Sequence, residues 1–185
     1  MGARDGFAIT PSTDRFTGFE VGISGDHAYI HQGKAFSSTG TASVAANAEY
    51  SLTLTTPAAS AAYVHYRPAR VASSASYMEI SLIEAPTFSA GTGGAEINRN
   101  RNSTTAATTA YAYGATYTSG GTVLDIITIG SGGLPSRIGG GAAGADEEIV
   151  LKPSTTYLVR GVNPAGGATT TFSWELFWYE ELMGV

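Results

Sequence analysis

Three observations predict an all-β fold, a sandwich or a barrel. Short segments in which apolar and polar residues alternate recur along the 185 residues, and turn residues such as glycine, proline and asparagine separate them. No segment shows a sustained helical period. No charged or proline-rich linker divides the chain, and its length suits one substantial core. We therefore expect one domain over residues 29–185, preceded by an extended N-terminal arm over residues 1–28.

The arm has little core of its own. Phe7, Ile9 and Phe16 are isolated apolar residues in this segment. Phe19 opens an alternating segment, residues 19–23, which favours a short strand that neighbouring glycines weaken. Such an arm either docks onto its own domain or lies across a neighbouring subunit, and the sequence leaves both arrangements open.

A regular pattern begins at residue 29. We expect a strand and a turn over residues 29–36, then strands over residues 49–55, 62–67 and 77–84. Alternation predicts that the apolar residues of the second and fourth segments point into the core: Tyr50, Leu52, Leu54, Met78, Ile80 and Leu82. Glu79 and Ser81 should face outward.

The middle of the chain predicts a loop, a strand and a second loop. Residues 98–104 are polar and open a stretch rich in threonine, alanine and tyrosine. A turn over residues 119–121 leads into a strand over residues 122–129, where Val123, Ile127 and Ile129 are predicted to share one side. Residues 130–145 are glycine-rich and long for a loop. We interpret them as low-bulk packing between subunits.

The last part of the chain predicts a long β-hairpin. Residues 155–162 favour a strand, Asn163 and Pro164 begin a turn, and the chain returns through residues 169–179. One face of the returning strand is wholly apolar and is predicted to lie in the core: Phe172, Trp174, Leu176 and Trp178. The other face mixes polar residues with Phe177 and Tyr179, so we expect these two aromatic side chains at an interface.

The composition favours a protein whose surface is covered by neighbours. Only 14% of the residues are charged, against about 25% in ordinary soluble domains, and a free monomer normally relies on surface charge for solubility. The net charge of -5 argues against nucleic-acid binding. The chain has no cysteine and no segment near the roughly 18 apolar residues of a membrane span, and its first residues do not predict a signal peptide.

The sequence predicts no catalytic, metal or cofactor site, and we therefore expect a protein that is not an enzyme. His27 and His31 lie four residues apart beside Asp26, a spacing that suits metal binding on a helix, but the local pattern favours an extended or turn-like segment. His65 is expected to be exposed or at an interface. The acidic run at residues 146–148 lacks the spacing of a calcium loop and is interpreted as a solvated face.

Arg99 and Arg101 place two of the ten basic residues in one short loop. In an extended loop both side chains project from the same side, and the planar guanidinium group suits bidentate pairing with the carboxylates of a partner. A merely solvated loop is the alternative.

Three motifs and their order resemble a family of tailed-bacteriophage virion proteins. They are Ile-His-Gln-Gly-Lys-Ala-Phe at 30–36, Asn-Arg-Asn-Arg at 98–101, and Leu-Lys-Pro-x-Thr-x-Tyr-Leu-x-Arg-x-x-Asn-x-Ala-Gly at 151–166, followed by Trp-Tyr-Glu at 178–180. The resemblance covers roughly residues 29–180. Members of that family are generally capsid decoration or cement proteins, so the resemblance implies an antiparallel β-sandwich of jelly-roll type on the outer surface of the head, without catalytic residues.

From the resemblance and the composition we expect a structural virion protein that is a homotrimer and clamps neighbouring subunits of the major capsid protein. The residues expected at its partner interfaces are Phe7, Phe16, Phe19, His31, Lys34, Arg99, Arg101, Phe177 and Tyr179. Two other functions stay open: a tail- or fibre-associated sandwich that binds a host surface glycan, and a secreted carbohydrate-binding module. Exposed aromatic platforms would favour glycan binding.

Overall fold

The fold is described from a computed structural model that covers residues 12–13, 20–21, 25–58, 60–73, 77–129, 137–139, 148–164 and 168–181. In chain order its elements are β1 (Ser12–Thr13), β2 (Glu20–Val21), α1 (Gly25–His31), β3 (Ala35–Val44), β4 (Glu49–Thr55), β5 (Tyr63–Ser73), β6 (Met78–Glu84), β7 (Thr87–Ser89), β8 (Thr92–Gly93), β9 (Ile97–Asn98), β10 (Ala110–Ser119), β11 (Thr122–Ile129), β12 (Arg137–Gly139), β13 (Ile149–Leu151), β14 (Thr156–Val162) and β15 (Thr170–Glu181). β1 and β2 pair only with each other in the described residues. Phe7, Phe16 and Phe19 lie outside those residues.

Two antiparallel sheets pack face to face, which confirms the predicted all-β sandwich. Sheet I has the order β11-β6-β14-β4-β10-β7, and β8 also pairs with β10. Sheet II has the order β12-β5-β15-β3-β9, and β13 also pairs with β5. The jelly-roll type and the arm stay predictions.

The main core lies between the inner faces of the two sheets. All four apolar residues predicted on the inner face of β15 are buried, and Trp178 is fully so. Leu52 and Leu54 of β4 meet them from sheet I, as do Met78, Ile80 and Leu82 of β6. Burial of large aromatic and aliphatic side chains on both inner faces is the main force that holds the sheets together.

Part of the other face of sheet I is also covered, because the sheet curls back on itself. β10 pairs with β4 over its first half and with β7 over its second half, and β7 follows β6 after the short link at Ala85 and Pro86. β11, which follows β10 in the chain, pairs antiparallel with β6. The curl encloses a second, smaller core of Ile83, Ala115 and Leu158. Ser81, which was predicted to face outward, is buried with only 7% exposure because it lies on this covered face.

A β-bulge in β11 changes which side chains face the core. The register with β6 shifts between Val123 and Asp125. An extra residue on one strand reverses the alternation beyond it. Val123 is consequently 55% exposed, whereas Ile129 is buried, so the prediction that they share one side is wrong for Val123.

β14 and β15 do not form the predicted hairpin. Both strands exist close to their predicted bounds, but β14 pairs with β4 and β6 in sheet I, whereas β15 pairs with β3 and β5 in sheet II. The chain therefore crosses between sheets at Asn163. The buried amide of Asn163 donates to the carbonyl oxygens of Val44, Ala45 and Ala168, and this fixes the crossover beside the one that joins β3 to β4.

The segment around the first two histidines is a helix rather than the extended segment that we expected. α1 spans the predicted boundary at residue 28, and the strand starts only at Ala35. Gly33 ends the helix with a positive φ of 70°. The ring of Tyr29 stacks on Tyr179 at 4.4 Å between centroids, so tertiary packing stabilises this short helix where its sequence pattern did not predict one.

Candidate partner interface

The outer face of sheet II carries several of the residues predicted at an interface. Strand pairing places Phe177 of β15 opposite Ser37 of β3 and Arg67 of β5, and places Tyr179 opposite Ala35 and His65. Arg99 follows β9 at the far side of β3 and its backbone N–H donates to the carbonyl oxygen of Ala35. Three strands therefore bring Arg67, Phe177 and Arg99 to one surface.

Phe177 lies under two guanidinium groups that approach from opposite sides of β15. The Cζ atoms of Arg67 and Arg99 are 5.5 Å and 5.4 Å from the ring centroid, within the range of cation–π attraction. Arg99 also pairs with Glu175, with 3.1 Å between Nη1 and Oε1. The ring is half-buried, and the Arg99 side chain is 40% exposed. We call these four residues, Arg67, Arg99, Glu175 and Phe177, the Phe177 patch.

Asn98 holds Arg99 in position. Its buried side-chain amide donates to the carbonyl oxygens of Gly33 and Thr105 at 2.9 and 2.8 Å, while its Oδ1 accepts from the backbone N–H of Asn100 at 2.9 Å. Asn100 in turn donates to the carbonyl oxygen of His31. The 98–101 loop is thus tied to the end of α1 by side-chain hydrogen bonds, and Arg99 is presented by an ordered backbone.

Tyr179, which we expected at an interface, is buried among residues of its own chain. Its ring stacks between Tyr29 and His65, with centroids 4.4 and 4.5 Å away, and 7% of the residue is exposed. Its hydroxyl donates to Glu148 Oε1 at 2.5 Å. Burial, and then this contact with a carboxylate, raise the pKa of Tyr179 far above its ordinary value.

His65 and Glu148 are also more enclosed than the sequence predicted. The imidazole Nδ1 lies 2.7 Å from Glu148 Oε1, and Nε2 lies 3.3 Å from Glu181 Oε2. The side chains of His65 and Glu148 are 14% and 19% exposed. Glu148 also approaches Arg67, at 3.7 Å. Glu148 therefore organises a network beneath the surface, and the prediction of a solvated acidic face is wrong for this residue.

The remaining predicted residues lie nearby but outside these contacts. His31 is exposed at the end of α1, and its ring stacks on His27 with centroids 4.8 Å apart. Arg101 is exposed in the turn after Arg99. Lys34 is partly buried, and its backbone carbonyl accepts from Glu180. As partner contacts these three residues stay predictions.

Comparison of the chain with family models and with curated proteins finds no match. The geometry of the molecule is therefore the basis for a functional assignment. In the described part of the chain, no cluster of three or more histidine, cysteine, aspartate or glutamate side chains is arranged to hold a metal ion. The same residues contain no helix with the length and apolar character needed to cross a bilayer.

The Phe177 patch has the chemistry of a protein-binding surface. Aromatic residues and arginine are enriched among the residues that dominate the binding energy of interfaces. The ring offers apolar area, and the guanidinium groups offer hydrogen-bond donors at its margins. Sequence alternation was sufficient to single out Phe177, but Arg67, Tyr29 and Glu148 were missed. No local signal in the sequence indicates that Tyr29 of α1 and Glu148, just before β13, contact Tyr179 of β15.

Proposed function

We propose that this protein is a structural, non-enzymatic subunit that decorates and stabilises the capsid of a tailed bacteriophage. In this role it sits on the outer surface of the head as a homotrimer of jelly-roll type and clamps neighbouring subunits of the major capsid protein. The N-terminal arm of residues 1–28 adds contacts to a neighbour. The single observation that carries the proposal is the Phe177 patch, an ordered aromatic and arginine surface on a sandwich that is otherwise poor in charge.

The patch suits an acidic and partly apolar partner surface. Arg99 is 40% exposed and already shares its charge with Glu175, so a partner carboxylate would compete for a guanidinium group that is held in place. The planar fork can bind such a group with two hydrogen bonds. Phe177 lies between the guanidinium groups and would lose its remaining water contact on docking, which adds apolar burial to the binding energy.

Self-association is supported by the exposed apolar residues of β11. This strand ends the order of sheet I, and Val123 and Ile126 on it are 55% and 57% exposed. Edge strands with apolar side chains need a covering surface, since they otherwise promote uncontrolled pairing. In a homotrimer, a second copy of the chain would cover these exposed side chains of β11.

The test is binding to heads of the encoding phage that lack this protein. We expect the purified full chain to co-sediment saturably with such heads and to raise the temperature at which they release DNA. Phe177→Ala and Arg99→Ala should lower occupancy, and Arg99→Ala should lessen the dependence of binding on salt because exposed ion pairs are screened. Tyr77→Ala is the matched control, since Tyr77 is an exposed aromatic residue outside the patch.

Absence of binding to heads would contradict the proposal, as would a location on the tail or its fibres when purified virions are labelled with antibody. Detection of turnover of a glycan or any other substrate by the purified protein would also contradict it.

A further inference from the structure

A second surface of the molecule is an aromatic cleft at the open side of the sandwich. It lies where the edge of sheet II formed by β3 faces the part of sheet I formed by β4 and β10. Its volume is about 260 Å³, and its lining comes from both sheets: Ser38, Thr39, Gly40, Thr41, Tyr50, Gly94, Ala95, Tyr111, Tyr113 and Trp174. Its aromatic base is distinct from the Phe177 patch, which lies on the outer face of sheet II; the two surfaces adjoin where Thr39 pairs with Glu175.

The aromatic rings of the cleft form one connected group. Trp174 stacks on Tyr50 with centroids 5.5 Å apart, and Tyr111 meets Tyr113 at 6.4 Å. The indole Nε1 of Trp174 donates to the hydroxyl of Tyr111 at 3.2 Å, which joins the two pairs. Trp174 and Tyr111 are nearly buried, whereas Tyr113 is 38% exposed. The cleft therefore has a fixed aromatic base and one accessible ring at its mouth.

Two glycines make room for this arrangement. A Cβ atom at Gly40 would lie 2.4 Å from the Trp174 ring, and one at Gly94 would lie 2.2 Å from the Tyr111 ring. Real Cβ atoms do not approach other heavy atoms so closely, so any other residue at either position would displace an aromatic ring. The two rings therefore pack closely against the backbone at Gly40 and Gly94.

The chemistry of the lining indicates an uncharged ligand that is rich in hydroxyl groups. None of the ten lining residues carries a charge. The polar groups are hydroxyls of serine, threonine and tyrosine, together with the backbone of β3, of which only Phe36 and Ser37 pair with β9. Hydroxyls both donate and accept hydrogen bonds, which matches the hydroxyls of a sugar. The aromatic faces match the apolar C–H face of a sugar ring.

The size of the cleft limits the ligand further. Its volume is below the roughly 300–1,000 Å³ of sites for drug-sized molecules, so it suits one or two sugar rings. The hydroxyl of Tyr111 accepts a hydrogen bond from Trp174 and bonds to Ser38. Burial raises the pKa of Tyr111 above its ordinary value, and these two hydrogen bonds act in the opposite direction. The base is thus held by its own hydrogen bonds before any ligand arrives, and a preorganised site costs less on binding.

We propose that the cleft of Tyr50, Tyr111, Tyr113 and Trp174 is a binding site for neutral saccharides, with the ring of Tyr113 as the accessible platform. This activity is additional to decoration of the capsid and does not depend on it. It would give a particle that carries the protein weak contacts with neutral surface glycans, which many copies on one particle would strengthen.

The test uses the full-length protein and soluble oligosaccharides of glucose, mannose and galactose, with trigalacturonate as a charged comparison. Ligand-observed saturation-transfer NMR measures binding. The binding site is located by tryptophan fluorescence in the Trp178→Phe variant, because Trp174 is then the only tryptophan of the protein. We expect saturable binding of a neutral oligosaccharide and a shift in Trp174 emission. Tyr113→Ala should weaken affinity by about tenfold, Tyr113→Phe should weaken it less, and Tyr77→Ala should leave it unchanged.

Three results would overturn the inference. They are the absence of binding by every neutral oligosaccharide, equal affinity in Tyr113→Ala and the wild type, and a preference for trigalacturonate. If the cleft instead accepts a peptide strand along β3, extended peptides bind and the sugars do not. Phe177→Ala keeps the two proposals distinguishable, because it should impair binding to heads and leave saccharide binding intact.

Discussion

The side-chain Nδ2 of Asn163 lies 3.0 Å from the carbonyl oxygen of Val44, 119 residues away in the sequence. Val44 ends β3 where the chain leaves sheet II, and Asn163 follows β14 where the chain leaves sheet I. The same amide reaches Ala45 and Ala168, and the Asn163 backbone N–H donates to Ala48. One fully buried side chain therefore joins two of the crossovers between the sheets, from β3 to β4 and from β14 to β15.

Asn163→Ala should lower the free energy of unfolding by about 2–3 kcal/mol, because it leaves buried carbonyl groups without a donor. Asn163→Asp should cost more at neutral pH, although it keeps the size of the side chain, because it replaces the amide donor with carboxylate oxygens that face three carbonyl oxygens. Urea denaturation of both variants measures the effect. Asn102→Asp, at an exposed site, is the control. An Asp variant as stable as the Ala variant would show that the amide is not the stabilising group.

Adjacent residues of β15 should separate folding from assembly. Trp178 is fully buried, whereas Phe177 is half-buried on the outer face. Trp178→Ala should cost roughly 3–5 kcal/mol, as for a large aromatic residue in a packed core, and Phe177→Ala should cost less. Trp174→Ala should lower the stability by a similar amount to Trp178→Ala, because Trp174 is also buried. Denaturant unfolding of the isolated subunit is the measurement, and a greater loss from Phe177→Ala would mean that the two faces of β15 are assigned wrongly.

Stability should fall in alkali because tyrosines are held protonated. Burial raises the pKa of Tyr157 to about 12 from 10.0, with a further contribution from its hydrogen bond to Glu84, while the backbone N–H of Lys152 acts in the opposite sense. Since the folded-state pKa is raised, this contribution is complete below pH 10 and is lost as the pH rises through 12. Tyr179 acts in the same direction.

Thermal melting between pH 8 and 12 measures this loss. Tyr157→Phe should flatten the dependence of stability on pH in that window, and Tyr77→Phe, at an exposed ring, is the matched control. Identical pH profiles for the wild type and Tyr157→Phe would refute the assignment.

Glu180 should be needed for stability even though it carries a charge in the interior. It is 3% exposed, and its carboxylate accepts from the backbone N–H groups of Thr108 and Thr109 and from the Thr108 hydroxyl. Glu180→Gln places an amide N–H₂ against these donors and should cost about 1–3 kcal/mol. Calorimetry would detect the loss. Glu79→Gln, at an exposed position of β6, should change little, and equal effects of both changes would contradict this role.

The exposed side chains of β11 allow a test of self-association. Ile126→Lys places a charge at a position that is 57% exposed, so it should leave the subunit folded and reduce its oligomers. Light scattering coupled to size-exclusion chromatography reports the mass. Thr128→Lys, two residues along the same strand, is also exposed in the subunit; it adds the same charge without removing an apolar contact and should have the weaker effect. A wild-type protein that stays monomeric at high concentration would contradict this arrangement.

The strands could be predicted from the sequence, whereas their pairing could not. Alternation in residues 49–55 and 169–179 is strong because one side of each strand enters the core. The Asn-Pro turn after residue 162 suggested a hairpin, since local turn chemistry does not reveal that Asn163 will be held by Val44. Leu158 shows why: it is fully buried on the face of β14 away from the main core, and that cover comes from strands distant in the sequence.

The candidate sites were predictable to different degrees. Phe177 stood out as an apolar residue on a mixed face, and Arg99 as one of few basic residues. Tyr179 looked equivalent to Phe177, but α1 covers it with Tyr29, and this helix was not predicted. The aromatic cleft could not be foreseen, because it forms where Tyr113 and Trp174 meet across two sheets and because Gly40 and Gly94 appear in the sequence only as residues that weaken strands.

The strand order determines when the nascent chain can fold on the ribosome. β14 separates β4 from β6 in sheet I, and β15 separates β3 from β5 in sheet II. Until residues 156–181 have been synthesised and have left the exit tunnel, each sheet lacks a central strand, and the strands already made expose unpaired edges. Pairing between such distant segments closes long loops and is slow. Neither sheet can therefore be completed before residues 156–181 are available, and until then the unpaired edges of the earlier strands are prone to aggregate.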